Sequence, residues 1–245
     1  MKDFFSSQSK VYAAFRPTYP KALYDFIFSR LIDKKVAWDC ATGNGQVAQY
    51  LASYFNEVYA TDISQQQLNH AVREKNIFYS KCPAEKTGFR DNQFSLVTIA
   101  QALHWFDQRL FFEEARRVAK PNAIVAAWGY GLLYIDPIID GLILEFYKDK
   151  VGSYWDEARK LVENEYRSVT FPFDEIKAPT FSIKVQWTID QLAGYLSSWS
   201  ATQKYVSERG HDPVSPFIKT LQKHWQTTEM IASFPIFTRM GKVKK

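Results

Sequence analysis

Asp39, Gly43, Gly45 and Asp62 are the residues of this 245-residue sequence whose types and spacing first suggest chemistry. Asp39 ends a short apolar run, and the chain then passes Gly43 and Gly45 into a segment of helical character, the whole reading VAWDCATGNGQV over 36–47. Glycines in such a turn let a polar ligand approach backbone N–H groups at a helix N-terminus. A dinucleotide site would place a third glycine where Ala48 stands. Asp39 at the mouth of the loop would repel a pyrophosphate and suits a cation such as an α-ammonium group. An ordinary strand-to-helix turn also uses flexible residues. Asp62 follows a second apolar run about twenty residues beyond Gly43, where a nucleotide site places the acid that binds ribose hydroxyls. Standing just before Ser64, it also reads as a helix-cap or turn residue.

Two more groups lie at the ends of apolar runs. Ala84 and Glu85 follow the third, and Gln101, His104 and Trp105 follow the fourth. Ligands of doubly wound sheets sit in the crevice outside such strand ends. His104 is the candidate general base for an acceptor that must lose a proton, and reads equally as a hydrogen-bonded structural histidine. Arg16 would bind a carboxylate, or serve in a surface ion pair. Trp105, Trp128 and Trp199 would wall a pocket, although core packing explains any one of them as well. Cys40 and Cys82 fit no metal spacing and read as reduced thiols.

The elements that must position these residues follow from periodicity. Helices are expected over about 21–31, from near Asn44, from Ser64 to about Lys75 and over 108–118, alternating with strands over 36–38, 58–61, 77–81, 94–100 and 123–128. That alternation predicts right-handed parallel crossovers. Beyond residue 130 the pattern changes. Helical stretches at about 138–148 and 155–165 precede an alternating strand at 181–187, and two more at about 189–208 and 216–225 precede a last strand at 229–238. The expected fold is a Rossmann-like doubly wound, mostly parallel α/β sheet of seven strands with an antiparallel last strand. Residues 1–245 are read as a single domain with a core over about 35–130, 181–187 and 228–240, and a helical cap inserted at about 130–180 and 189–226.

Composition sets outer bounds. Apolar residues make up 46% and charged residues 23%, which is ordinary for a globular protein. A charge of +5 favours anionic partners, but Arg239, Lys242, Lys244 and Lys245 crowd the last seven positions as a solvated tail, and nucleic-acid binding is not expected. The N-terminus lacks a signal-peptide pattern, and no apolar run reaches membrane-spanning length, so a cytoplasmic location is expected.

With DCATGNGQ, Asp62, Ala84-Glu85 and the HWF segment in that order, residues 35–130 resemble the class I S-adenosylmethionine (SAM)-dependent methyltransferases. FRPTYP near the start and QALHWFD after the fourth strand look like the small-molecule branch that includes trans-aconitate methyltransferases. The resemblance implies SAM as methyl donor and S-adenosylhomocysteine as product. It assigns Asp39, Ala41, Gly43, Gly45, Asp62 and Ile63 to the cofactor, together with Ala84, Glu85, Gln101, Tyr12 and Arg16. Glu85 would accept from the adenine amine. Ala41 departs from the family pattern, which has glycine there. His104, Trp105, Trp128 and Trp199 fall to the acceptor, with His104 also the candidate catalytic residue. The implied partner is a small-molecule acceptor, such as a carboxylic acid methylated on oxygen; no metal is implied, and the chain would act as a monomer or dimer. Two readings stay open beside it, an NAD(P)-dependent oxidoreductase with the same strand-glycine-helix start, and a SAM-binding protein without transferase activity.

Overall fold

The computed structural model describes residues 16–245, so Tyr12 lies outside the described residues. A first helix, α1 (Lys21–Phe28), leads into β1 (Val36–Cys40), α2 (Gln46–Ala52), β2 (Glu57–Asp62), α3 (Gln65–Asn69) and β3 (Ile77–Lys81). Next come β4 (Phe94–Ala100), α4 (Gln108–Val118) and β5 (Ala119–Tyr130). The cap supplies α5 (Pro137–Glu145) and α6 (Arg159–Glu163), then β6 (Asp174–Glu175) and β7 (Phe181–Trp187) return to the sheet. Helices α7 (Ile189–Ser197), α8 (Ser200–Arg209) and α9 (Val214–Leu221) precede the last strand, β8 (Met230–Lys242).

The sheet runs β3-β2-β1-β4-β5-β8, with β6 and β7 both paired to β8. Strands β1 to β5 pair in parallel, whereas β8 is antiparallel to β5, β6 and β7. From β1 the chain winds outward through β2 and β3, and then returns to place β4 on the other side. That reversal opens a crevice at the carboxyl ends of β1 and β4. Successive residues feed opposite faces, as a pleated strand requires. Ala37, Leu96 and Ile124 pack with α1, α2 and the cap, while Trp38, Val97 and Val125 pack with Phe111 and Ala115 of α4.

Departures from the expected elements have local causes. An eighth strand, β6, forms because Gly241 lets Asp174 close on β8; a Cβ at Gly241 would lie 3.0 Å from the Asp174 carbonyl. Helix α3 stops at Asn69 instead of Lys75. The Val72 backbone is taken up elsewhere, its N–H donating to Asn44 at 3.3 Å and its carbonyl accepting from the Tyr79 hydroxyl at 2.7 Å. The helix expected over 189–208 is two helices, because the Ser198 hydroxyl donates back to the Tyr195 carbonyl at 2.6 Å and ends α7. Among the described residues no helix is long and apolar enough to cross a membrane.

Candidate active site

The turn after β1 holds Ala41 and Gly43 at φ of 53° and 58°, and Gly45 at 84°. Ala41 therefore adopts the left-handed backbone that glycine would take freely, at a cost of about 1–2 kcal/mol. The two glycines serve different needs. At Gly43 an added Cβ would meet nothing nearer than the Gln67 side-chain oxygen at 4.0 Å, so the backbone faces open space that a ligand can use. At Gly45 it would lie 2.2 Å from the Tyr79 hydroxyl, so here the glycine makes room for protein. Asp62 ties the loop to the next helix, one carboxylate oxygen accepting from Gly43 N–H at 2.9 Å and the other from Ser64 N–H at 2.8 Å. An ionised carboxylate oxygen can accept from more than one donor.

Asp39 is 1% exposed, and its two oxygens accept from the Thr42 hydroxyl at 2.5 Å and the Thr98 hydroxyl at 2.8 Å. Burial pushes its carboxyl up to about 6, although those hydroxyls and the Ala48 N–H favour the ionised form. The carboxylate lines a narrow cavity of about 80 Å³ together with Arg16, Ala41, Asn44 and Gln101. A second cavity, of about 50 Å³, is lined by His104, Trp105, Trp155, Asp156, Arg159, Tyr195 and Trp199. Arg16, Gln101 and Tyr130 line both. Those three side chains are the junction across which a group held on the loop side can meet one held under the cap.

Gln101 is shaped for that junction. Its φ is 54°, its N–H donates to the Trp128 carbonyl at 2.8 Å, and its side-chain amide donates to the Tyr130 carbonyl at 3.0 Å. The amide oxygen is buried with no hydrogen-bond partner among the described residues, which suits the ammonium of an amino-acid-like ligand. Arg16 donates to the Tyr130 hydroxyl and to the Ser198 carbonyl, both at 3.3 Å, and lies 5.4 Å over the Tyr195 ring. It thereby joins the start of the described chain to β5 and the cap. Arg159 lies 4.9 Å over the Trp155 ring and donates to the Tyr147 hydroxyl at 3.2 Å.

His104 stands on a single 3₁₀ turn, Leu103–Trp105, with Nδ1 3.0 Å from the Tyr166 hydroxyl. Burial, and then the positive charge of Arg159, push its pKa down to about 3, so the ring is neutral at physiological pH. A larger groove, about 950 Å³, shares Trp155, Asp156 and Arg159 with the second cavity and runs along β8. No residue of the glycine loop lines it, so its size says nothing about where a cofactor sits.

The structure thus gathers Asp39, Ala41, Gln101 and Arg16 at one cavity, and His104, Trp105 and Trp199 with Gln101 and Arg16 at the next. Trp128 is a different matter. It lines neither cavity and is fully buried, edge-on to Tyr19 at 5.5 Å and Tyr24 at 6.3 Å, because its position on β5 turns it into the apolar layer beneath α1. Ile63 is half-buried and lines neither cavity, Ala84 is buried in the layer on the α4 side, and the Glu85 carboxylate accepts from Asp107 N–H at 3.1 Å. Thr98, Arg159 and Tyr166 escaped the sequence reading. Thr98 is concealed in the apolar run FSLVTIA, and the other two lie far from the motifs, with no signal until the cap folds over them.

Comparison with known proteins agrees with this geometry. Residues 38–127 match the model of a methyltransferase domain family. A Dictyostelium discoideum protein described as a methyltransferase is 32% identical over 98% of this chain and 95% of its own length. A methyltransferase-like protein of Schizosaccharomyces pombe is 25% identical over 92% of this chain and 90% of its own. A solved structure from Anaeromyxobacter dehalogenans, described as a type II methyltransferase, superposes with a TM-score of 0.86 at 36% identity, over 94% of this chain and 99% of that one. The glycine loop at a β1/β4 switch point, the open backbone at Gly43, the orphaned Gln101 oxygen and these relatives converge, and the chain belongs to the class I SAM-dependent methyltransferases.

Proposed function

We propose that this enzyme transfers the methyl group of SAM to a carboxylate oxygen of a small acidic acceptor bound under the cap, as the likeness of FRPTYP and QALHWFD to the trans-aconitate methyltransferase branch also suggests. The observation that carries the reading is the charge of the second cavity. Two guanidinium groups, Arg16 and Arg159, face it against one carboxylate, Asp156, and the neighbouring histidine is neutral. Aromatic walls from Trp105, Trp155, Tyr195 and Trp199 exclude water and strengthen that attraction.

When bound, SAM supplies a methyl group on a sulfonium that departs as a neutral thioether, so an ionised carboxylate needs no base. The protein's task is to hold, align and dehydrate. On this reading Asp62 binds the ribose hydroxyls, Gly43 and Gly45 admit the cofactor to the loop, and Ile63, Ala84 and Glu85 flank the adenine. Asp39 and the Gln101 oxygen receive the α-ammonium group. Arg16 stands at the junction of the two halves. His104, whose pKa of about 3 makes it a weak base at neutral pH, has no proton to remove.

Steady-state kinetics with an acid found by screening metabolite extracts against methyl-labelled SAM test the assignment. Arg159→Gln is expected to raise the acceptor KM about tenfold or more, as loss of a charge-assisted contact does, while the Kd for SAM stays as in the native enzyme. An unchanged acceptor KM in folded Arg159→Gln would remove the acidic acceptor from the cap cavity.

A further inference from the structure

The side chain that faces His104 from across the cap is Tyr166, which sits in costly backbone. Glu165 and Tyr166 both lie in the left-handed region, at φ of 59° and 58°, and neither is glycine. Two consecutive residues are held there by specific contacts. Tyr166 N–H donates to the Leu161 carbonyl at 2.8 Å, its carbonyl accepts from Arg239 at 2.6 Å, and its ring packs edge-on against Phe237 at 5.0 Å. Backbone strain of this kind persists where the surroundings over-determine it, and it clusters at working sites. Here it aims a fully buried phenol at Nδ1 of His104, 3.0 Å away.

The direction of that hydrogen bond follows from proton counting. Among the described residues the hydrogen-bond partner of the Tyr166 hydroxyl is Nδ1 of His104. A hydroxyl has one proton and must place it on an acceptor, since a buried unpaired donor is expensive. His104 Nδ1 is that acceptor if it carries a bare lone pair. Were Nδ1 protonated, it would donate to the phenol oxygen and the phenol proton would have no acceptor among the described residues. Burial raises the Tyr166 pKa well above that of a free phenol, so the proton stays on oxygen. The positive charge of Arg159, which acts on both rings, disfavours a second proton on the imidazole.

We infer that Tyr166 is a positioning residue that fixes His104 as the Nε2–H tautomer, so that the histidine presents a hydrogen-bond donor, and not a base, to the cavity it lines. The role given to that donor rests on reading the cavity as the acceptor site. An acid seated there would accept from Nε2–H on one oxygen while the other stays free to attack. The specificity consequence is that an acceptor lacking an oxygen or nitrogen lone pair at this point leaves a buried N–H unpaired.

Long-range proton–nitrogen correlation spectra of protein labelled with ¹⁵N-histidine read the tautomer without any reaction. The native enzyme is expected to show His104 with Nε2 protonated and Nδ1 bare, unchanged down to about pH 5. Tyr166→Phe, which keeps the ring and removes the hydroxyl, is expected to show a mixture of tautomers and to raise the acceptor KM about tenfold with unchanged SAM affinity. A protonated Nδ1 in the native enzyme would overturn the inference, whether or not the variant folds. So would a Tyr166→Phe protein with the native His104 spectrum. If the spectra agree but acidic acceptors prove inert, the tautomer stands and the acceptor reading falls.

Discussion

His104, 9% exposed and pushed down to a pKa of about 3, couples the site to stability as well as to chemistry. An unfolded histidine titrates near its ordinary value, so between about pH 6.5 and 3 the folded chain holds fewer protons than the unfolded one. The contribution is therefore full above about pH 6.5 and is lost as pH falls. From about pH 6.5 to 5 the loss is about 2 kcal/mol. Asp39 acts with the opposite sign. Its carboxyl is raised by burial to about 6, so the folded state takes up its proton first and the stability linked to it declines as pH rises from 3.8 to about 6. Comparing the native chain with His104→Gln cancels Asp39. Urea unfolding at about pH 7 and pH 5 is expected to show the native chain losing about 2 kcal/mol more than the variant. Equal losses would mean that His104 is not buried neutral.

At the scale of elements, the glycine loop carries the clearest structural demand. Gly43 combines φ of 58° with open space beside its Cα, so a side chain there both strains the backbone and fills the room needed by a ligand. Gly43→Val is expected to fold and to lose SAM binding in calorimetry. Native affinity in the folded variant would put the cofactor elsewhere. This loop was legible because each residue type answers a local need, glycine for backbone shape and aspartate for charge. β3, β4 and α4 were legible to the residue for a similar reason, their apolar period being bounded by turn residues. What sequence could not show depends on partners distant along the chain. Trp128 looked available for a pocket until α1 covered it, and Tyr166 had no visible role until the chain after α6 turned left-handed and Arg239, from β8, captured its carbonyl. The two-residue β6 likewise depends on a glycine 67 positions away from Asp174, at Gly241.

For the molecule as a whole, the parallel half of the sheet and the cap meet at Arg16, Gln101 and Tyr130, which line the cavities on both sides. The loop side is built from β1, β4 and the turn between β1 and α2. The cap side comes from α7, α8 and the segment around Trp155, whose ring packs on Trp199, which in turn meets Tyr195 edge-on. On the proposed reading this arrangement would hold a small acceptor under the cap. A carboxylate acceptor and a hydroxyl, amine or carbon acceptor differ in what the product withstands, because only the first gives an ester that mild alkali cleaves. The most direct measurement is therefore the alkali lability of label transferred from methyl-labelled SAM to a metabolite extract by the native enzyme. The expected result is SAM-dependent incorporation into an acidic metabolite, with the label released as methanol on alkaline treatment. Label that resists alkali, with His104→Ala slowing its transfer by more than about a hundredfold at unchanged SAM affinity, would show general-base chemistry on another kind of acceptor and contradict methylation of a carboxylate.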